Sequence, residues 1–287
     1  TLSDGQGGLV RQDVTVTLVG SDDLPTITGS AGATWYEGAA VNHSRSGTLA
    51  FADADLSDHL TVSVAGQSLS YVTAAGVDLS ASLTPDQIAA LKAAFTMPTG
   101  DLGANKGSAT WTYAIADTAL DFIGQNDALK LVTTVVADDG HGGSAQQAVT
   151  ITLKGVNDAP TIKGYAPGDA AIAGTVTEKA GVFGDAGLQQ TGGAFAFADA
   201  DLSDAHSVRI TPKAGGYLGT LAASVVSDTT GGGTGSVGWT FQVADKALDG
   251  LAAGASASGV DLGSSEAPVE PMLREASAPK AEAENAP

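Results

Sequence analysis

The eight-residue sequence FADADLSD occurs twice in this chain, at residues 51–58 and 197–204, and no other feature limits the possible folds as strongly. An identity of this length, so far apart in one chain, indicates internal duplication. Each copy begins with a short apolar run and ends in a turn that contains three aspartates, Asp53, Asp55 and Asp58 in the first copy. We interpret this pattern as a strand that delivers carboxylates to a loop.

A second repeated region supports the duplication. Residues 1–29 align without a gap on residues 136–164, and both copies contain an Asp-Gly-x-Gly-Gly turn followed by alternating apolar residues. Such alternation predicts a half-buried strand that leaves a hairpin. The alternating apolar residues are Val14, Val16 and Leu18 in one copy and Val149, Ile151 and Leu153 in the other. Each copy ends in a glycine, a polar pair and a proline, which is typical of a short, stiff linker between domains. The pair is Asp22-Asp23 in the first copy and Asn157-Asp158 in the second.

These linkers divide the chain into four predicted parts. Residues 1–20 are the C-terminal strand or strands of an upstream repeat, because the chain begins in the middle of the pattern, as a fragment of a longer protein would. Residues 21–157 form a complete repeat, and residues 158–262 form a second repeat that is truncated, since its match fails after about Ser258. The last two strands are therefore expected to be missing, which leaves an open sheet edge. The composition of residues 263–287 predicts a disordered tail.

Composition favours an all-β fold. The 38 glycines, the scarcity of aromatic residues and the many alanines, valines and threonines suit short strands joined by tight turns. We predict tandem Greek-key β-sandwiches joined by short acidic linkers. In the first repeat the expected strands cover residues 47–52, 60–65, 69–73, 110–115 and 130–137. The sequence of residues 84–95 predicts a helix, with Thr84 as its N-cap and Pro85 at its first position.

The charge of the chain restricts its partners. The formal net charge of −19 arises from 32 acidic and 13 basic residues, and it disfavours nucleic acid and anionic membrane surfaces as partners. No apolar run is long enough for a membrane helix, so no membrane insertion is expected. The chain contains no cysteine, which excludes disulfides and thiolate metal ligands. Clustered carboxylates favour divalent cations, although solvated acidic turns are the simpler alternative.

The Greek-key order predicts where the acidic residues meet, because alternating strand direction assigns each loop to one of two ends of the sandwich. The first linker, the first FADADLSD loop and the hairpin after the sixth strand should share one end. The second linker and the second FADADLSD loop should meet residues at the opposite end of the first repeat. Many oxygen ligands from several segments suit Ca²⁺ rather than zinc or copper. The predicted ligands are Asp22, Asp23, Asp53, Asp55, Asp58 and Asp139 at the first junction, and Glu37, Asp117, Asn157, Asp158, Asp199, Asp201 and Asp204 at the second.

The combination of FADADLSD, WTYAIADTALDFI and VVADDGHGGSAQQAVTITLKGVNDAP resembles the VCBS-type repeat of very large bacterial surface adhesins, over residues 1 to about 258. The resemblance implies an Ig-like or cadherin-like fold, rigidity that depends on calcium, secretion by a type I route, and a role in surface attachment and biofilms. It implies a location outside the cell or on the bacterial surface. Carried over by position, it supports Asn157, Asp158, Asp199 and Asp201, with Asp23, Asp53 and Asp55 at the first junction. The first linker, GSDDLP, departs from the pattern.

Three functions remain open from the sequence. The first is a structural and adhesive repeat whose partners are neighbouring repeats of the same chain and an unknown surface receptor or glycan. The second is a module that binds glycans or proteins through exposed Trp35, Tyr36 or Tyr217, and the third is an accessory region of a secreted hydrolase. The four histidines lack zinc spacing, and no nucleophile or phosphate-binding motif is present, so the chain is not expected to be an enzyme. His59 and His206, which follow the two acidic loops, are expected to have a role in those loops.

Overall fold

The computed structural model describes residues 1–38, 42–163, 172–211 and 218–252, together with the backbone of residues 271–275. Its regular structure is dominated by β-strands, as the composition predicts. The strands are β1 (Leu2–Ser3), β2 (Leu9–Val10), β3 (Thr26–Gly29), β4 (Gly32–Tyr36), β5 (Asn42–Ala52), β6 (Thr61–Val72), β7 (Phe95–Thr96), β8 (Gly100–Asp101), β9 (Lys106–Ala116), β10 (Ala128–Asp138), β11 (Ser144–Lys154), β12 (Thr161–Ile162), β13 (Leu188–Ala198), β14 (His206–Ile210), β15 (Gly219–Ser227), β16 (Gly235–Ala244) and β17 (Pro271–Glu275). The helix α1 spans Pro85–Ala93, and short 3₁₀ turns cover Ser80–Ser82, Asp117–Ala119 and Asp245–Ala247.

The first repeat consists of two sheets that share one core. One sheet has the order β3-β5-β9-β7, and the other has the order β4-β11-β10-β6-β8. All neighbouring strands in them are antiparallel except β4 and β11, which are parallel. Alternate residues of both sheets point inward, and Trp111, Tyr113, Phe51 and Tyr71 are among the largest side chains in the core. Burial of these aromatic rings supplies much of the apolar area that stabilises the repeat.

The predicted helix is present, and its start agrees with the predicted cap. Thr84 accepts a hydrogen bond from the amide of Gln87 at 3.2 Å, and the Gln87 side chain accepts one from the amide of Thr84 at 2.8 Å. This reciprocal pair satisfies two amides that the first turn leaves free. The helix ends at Ala93, two residues before the predicted end, because Phe95 begins β7 and its ring stacks against Trp111 at 6.2 Å.

One long strand replaces two predicted ones. Residues 60–65 and 69–73 were expected to be separate strands, but β6 runs continuously along β10. The pairing shifts register opposite Thr134 and Val135, next to Gly66. A bulge of this kind inserts one unpaired residue, so it interrupts the apolar alternation in the sequence without ending the strand.

Residues 11–25 form no strand, in contrast to the predicted half-buried one. The chain begins with the two-residue hairpin β1–β2, and Val14, Val16 and Leu18 are 81%, 73% and 90% exposed. Their counterparts in β11 are fully buried. Alternation alone does not form a strand, because a strand needs a neighbouring strand for its backbone hydrogen bonds. No strand among the described residues lies beside this segment.

The described residues of the second repeat form a smaller framework. Its main sheet has the order β12-β13-β16-β15, and β14 pairs with β17 in a separate two-stranded sheet. In the first repeat the strand after the acidic loop, β6, pairs with β10 over eleven residues. Here β17, a five-residue strand within the tail for which we predicted disorder, pairs with β14 instead. The unpaired edge of β14 gives these tail residues a backbone partner.

Candidate metal centres at the junctions between repeats

The first acidic loop is folded back on the first linker. The Asp53 carboxylate accepts a hydrogen bond from the amide of Asp55 at 2.9 Å, and the Asp55 carboxylate accepts one from the amide of Asp23 at 2.8 Å. Oxygen atoms of Asp53, Asp55 and Asp58 lie within 4.8 Å of one another. The backbone amides thus hold the Asp53 and Asp55 carboxylates in place beside that of Asp58, although the three charges repel each other.

The hairpin between β10 and β11 reaches the same place. Asp139 accepts hydrogen bonds from the amides of His141 and Gly143 with one oxygen, at 2.7 and 2.9 Å. His141 lies 3.2 Å from the Asp58 carboxylate, and ligand atoms of Asp22, Asp58 and His141 lie within 4.8 Å of one another. His141 is not among the predicted ligands, although its position inside the hairpin turn between β10 and β11 was a signal for it.

Several carboxylate oxygens at this first junction are buried without a hydrogen-bond donor. Asp53, Asp58 and Asp139 are 9%, 3% and 1% exposed, and the Oδ2 atom of each has no partner among the described residues. A buried carboxylate oxygen without a donor is unfavourable. Hard oxygen ligands of this kind match the preference of Ca²⁺, so the first junction fits the predicted cation.

The second junction combines residues of the first repeat, the second linker and the second acidic loop. The amide of Asp158 donates to the Asp201 carboxylate at 2.9 Å, and the amide of Val156 donates to the Glu37 carboxylate at 2.9 Å. Ligand oxygens of Glu37, Asp158 and Asp201 lie within 4.8 Å of one another. Glu37 and Asp201 each keep one buried oxygen without a donor among the described residues. A cation at this position would bridge the two repeats.

Burial and close packing of the carboxyl groups at the second junction raise their pKa values. Burial, and secondarily the charges of neighbouring aspartates, raise the pKa of Glu37 and of Asp201 to about 8. Burial raises the pKa of Asp158 as well, with the charges of Asp121 and Asp199 in support. Without a cation, these groups therefore bind protons at a pH at which an ordinary carboxyl group is ionised.

The predicted ligand Asp117 lies outside these clusters. Asp117 accepts hydrogen bonds from His43 at 2.5 Å and from the amide of Gly38 at 2.8 Å, so a histidine that the sequence did not single out occupies one of its oxygens. Burial opposes the ionised form of Asp117, but these two hydrogen bonds outweigh it and lower its pKa. The Asn157 amide donates to the backbone oxygen of Asp158, which stabilises the linker turn.

The two acidic loops differ in the residue that follows them. The second residue after each loop is Leu60 in the first copy, where it is fully buried, and His206 in the second. His206 lies 3.0 Å from the Asp199 carboxylate and 2.7 Å from that of Asp228. It is a buried strand residue, and His59 is an exposed loop residue, so the two histidines are not equivalent. The Oδ2 atom of Asp199 thus has His206 as a partner, whereas the Oδ2 atom of Asp53 has none among the described residues. Ligand oxygens of Asp199, Asp201 and Asp204 nevertheless lie within 4.8 Å of one another.

Of the aromatic residues suggested for glycan binding, Trp35 is buried, Tyr36 is exposed, and only these two are described. Trp35 is 6% exposed and lies against Tyr113 with ring centres 5.5 Å apart. Tyr36 is 58% exposed, and Tyr217 lies outside the described residues. Within the described parts of the chain, no helix is long and apolar enough to cross a membrane.

Comparisons with known proteins give little further information. No family model matches the chain. Among curated proteins, small ribosomal subunit protein uS2 of Phenylobacterium zucineum is 68% identical over 41 residues, and that of Caulobacter vibrioides is 61% identical over 44 residues. These stretches cover 14% and 15% of this chain, and they span only 14% and 16% of the relatives' own length.

Two solved structures have weak similarity. A protein of unknown function from Porphyromonas gingivalis has a TM-score of 0.25 at 11% identity, and the match covers 79% of this chain and 86% of that one. The C-terminal domain of the Streptococcus agalactiae AgI/II polypeptide BspA has a TM-score of 0.18 at 10% identity, covering 77% of this chain and 91% of that one. Scores this low carry no argument about fold or function.

Proposed function

We propose that this chain is a structural repeat region of a large bacterial surface or secreted adhesin, and that calcium bound at the junctions stiffens it. The observation that carries the proposal is the second junction, where Glu37, Asp158 and Asp201 converge from two repeats and their linker. Two of these carboxylates are buried and keep an oxygen without a donor among the described residues. A Ca²⁺ ion there would tie the repeats together, and its removal would let them hinge.

The strand order of the first repeat supports the finer assignment of its fold. A four-stranded sheet faces a five-stranded one, and the first strands of the repeat are divided between the sheets, with β3 in one and β4 in the other. The edge strand β4 runs parallel to β11, the last strand. This arrangement agrees with an Ig-like or cadherin-like Greek-key sandwich. Tandem sandwiches joined end to end are suited to mechanical extension from a cell surface.

Calcium is preferred over other cations because of the ligand chemistry. At the second junction, the ligand atoms of Glu37, Asp158 and Asp201 are all carboxylate oxygens. Such a site suits calcium or magnesium rather than zinc or copper. Several carboxylates from separate segments give the high and irregular coordination that Ca²⁺ accepts, whereas Mg²⁺ requires an almost ideal octahedron and retains several waters. Partners of the folded chain are then its neighbouring repeats and an unidentified receptor or glycan.

The test compares thermal unfolding of the full chain in calcium with unfolding in a chelator. We expect calcium at one hundred times its Kd to stabilise the folded chain by about 2.7 kcal/mol for each site, which raises the melting temperature by several degrees. Asp201→Asn removes a charged ligand with little change in volume and should abolish most of the effect at the second junction. Calorimetry with calcium, magnesium and chelator measures both outcomes.

The matched control is Asp13→Asn, which makes the same chemical change at an exposed position outside both clusters. It should respond to calcium as the unaltered chain does. An identical melting curve in calcium and chelator for the unaltered chain would refute the proposal. Equal responses of the two variants would refute the assignment of Asp201.

A further inference from the structure

The hairpin turn between β10 and β11 brings a histidine to the first junction, whereas the ligand group that joins the two repeats at the second junction contains only carboxylates. Asp139 accepts hydrogen bonds from the amides of His141, Gly142 and Gly143 at 2.7, 3.0 and 2.9 Å, so one carboxylate oxygen fixes the backbone of the turn. The His141 side chain is 58% exposed. The turn therefore presents an imidazole ring at the surface of the junction.

The first linker lies against this turn. A Cβ atom on Gly143 would lie 3.0 Å from the Leu24 side chain, so the absence of a side chain at Gly143 lets the linker approach the hairpin closely. The amide of Asp23 donates to the Asp55 carboxylate at 2.8 Å, which attaches the same stretch of linker to the first acidic loop. These two contacts place the preceding residue, Asp22, between the loop and the hairpin.

Ligand atoms from three separate segments meet at this position. The Nδ1 atom of His141 lies 3.2 Å from the Oδ1 atom of Asp58, and ligand atoms of Asp22, Asp58 and His141 all lie within 4.8 Å of one another. In a tetrahedral zinc site with ligand bonds of about 2.1 Å, two ligand atoms of the same ion lie about 3.4 Å apart. The distance between His141 and Asp58 therefore matches that between two ligands of one ion.

The burial of Asp58 is an independent reason to expect a cation here. Asp58 is 3% exposed, and its Oδ2 atom has no hydrogen-bond partner among the described residues. An ion pair with a protonated His141 ring would leave this oxygen without a partner, whereas a divalent cation offsets the charges of Asp22 and Asp58 together. Asp58 also belongs to the group that contains Asp53 and Asp55, so its carboxylate can bridge an ion in each group.

We propose that Asp22, Asp58 and His141 form a binding site for Zn²⁺, beside the calcium site of the first junction. Imidazole nitrogen is a ligand that zinc favours, whereas Ca²⁺ takes oxygen ligands. Nδ1 binds the ion when the ring proton is on Nε2, and three protein ligands leave a fourth position for water. The bound ion joins the first linker, the first acidic loop and the hairpin turn. This site goes beyond the proposed function, because it does not require calcium at the second junction.

Calorimetric titration of the full chain with Zn²⁺ tests the proposal in saturating Ca²⁺, which occupies the carboxylate groups. The unaltered chain should bind one Zn²⁺ under these conditions. His141→Ala should weaken zinc binding at least about tenfold, because even the outer-shell partners of metal ligands contribute that much. His59→Ala is the matched control, since His59 is an exposed loop residue next to Asp58 but outside the group, and it should bind zinc as the unaltered chain does.

Nuclear magnetic resonance identifies the ligand, because the chain contains only four histidines. Zn²⁺ should shift the ring resonances of one histidine, the one whose signals are missing from the spectrum of His141→Ala. Thermal unfolding of His141→Ala should still respond to calcium, so a failure of the zinc site is distinguishable from a failure of the calcium proposal. No zinc binding in calcium, equal zinc affinities of the two histidine variants, or unshifted His141 resonances would each overturn the zinc site.

Discussion

At the scale of single residues, the chemistry of this chain is concentrated in carboxylates that are buried without a full set of donors. Glu37 is 5% exposed and Asp201 is fully buried, and each has one oxygen with a backbone donor and one without a partner among the described residues. A donor on only one oxygen leaves most of the desolvation penalty of the charge in place. The chain can reduce this penalty by binding a proton or by binding a cation.

These two routes predict a pH dependence for the calcium-free protein. The pKa values of Glu37 and Asp201 are raised to about 8 in the folded chain, so between their ordinary pKa values and pH 8 the folded state binds more protons than the unfolded state. The free energy of unfolding should therefore fall as pH rises from 5 to 8, by at most about 1.4 kcal/mol per pH unit for each group. Urea unfolding in a chelator at several pH values measures this slope.

Glu37→Gln provides the control for the pH dependence, because a neutral amide removes one of the two titrating groups. Its slope between pH 5 and 8 should be smaller than that of the unaltered chain. Saturating calcium should weaken the slope too, since the bound ion stabilises the ionised carboxylates. A calcium-free stability that is constant or increases over this range would contradict the prediction.

The clustering of the acidic side chains could be predicted from the sequence, whereas the contacts that His43 and His206 make with individual aspartates could not. Asp53 and Asp201 lie in a duplicated motif whose position relative to the linkers follows from strand direction. The contact of His43 with Asp117 joins residues 74 positions apart, and it depends on how β5 and the turn after β9 meet. The role of His206 depends on its place in the core, where the first repeat has Leu60, and a motif does not report burial.

At the scale of elements, α1 is an addition that the second repeat lacks in its sequence, and its stability rests on a few identifiable contacts. The capping box of Thr84 and Gln87 fixes its first turn, and Leu91 is the residue of the helix that is buried in the core. Thr84→Ala should lower the free energy of unfolding by about 1 kcal/mol, because it leaves an amide of the first turn without its acceptor.

Thr84→Ser is the matched variant for the helix cap, since serine retains the hydroxyl acceptor and should cost much less. Urea unfolding of the full chain, with helix content followed by circular dichroism, measures the difference between the two variants. Equal destabilisation by alanine and serine would show that the threonine methyl group, rather than the hydroxyl, stabilises this end of the helix.

Local signals predicted the elements whose partners are close in the sequence, and they failed where a partner was distant or absent. The helix start follows from Thr84, Pro85 and Gln87, which act within one turn. The continuity of β6 depends on β10, which supports it across the bulge near Gly66. Residues 11–20 have the alternation of β11 but form no strand, because a pattern specifies which face is apolar without supplying a neighbouring strand.

At the scale of the whole molecule, the two repeats share a sequence pattern but differ in how much core their described residues bury. The core cluster of buried residues comes from the first repeat apart from Leu202. Leu202 lies in the second acidic loop, and its amide donates to the backbone oxygen of Phe122 at 3.1 Å. The second loop is therefore attached to the first repeat by packing and by a hydrogen bond, in addition to the carboxylates of the second junction.

This asymmetry predicts that the chain unfolds in two steps, with the second repeat unfolding first. Its inner face leaves Trp239 and Phe241 half-buried, whereas the corresponding Trp111 and Tyr113 are fully buried, so it gains less from apolar burial. In a chelator, hydrogen exchange should show β13 and β16 opening at lower denaturant than β5 and β9. Calcium should bring the two steps closer together, because an ion held by Glu37 and Asp201 is released when either repeat unfolds. With Asp201→Asn, the two unfolding steps should stay apart even in calcium. If different probes showed a single, coincident unfolding step in a chelator, the asymmetry between the repeats would be contradicted.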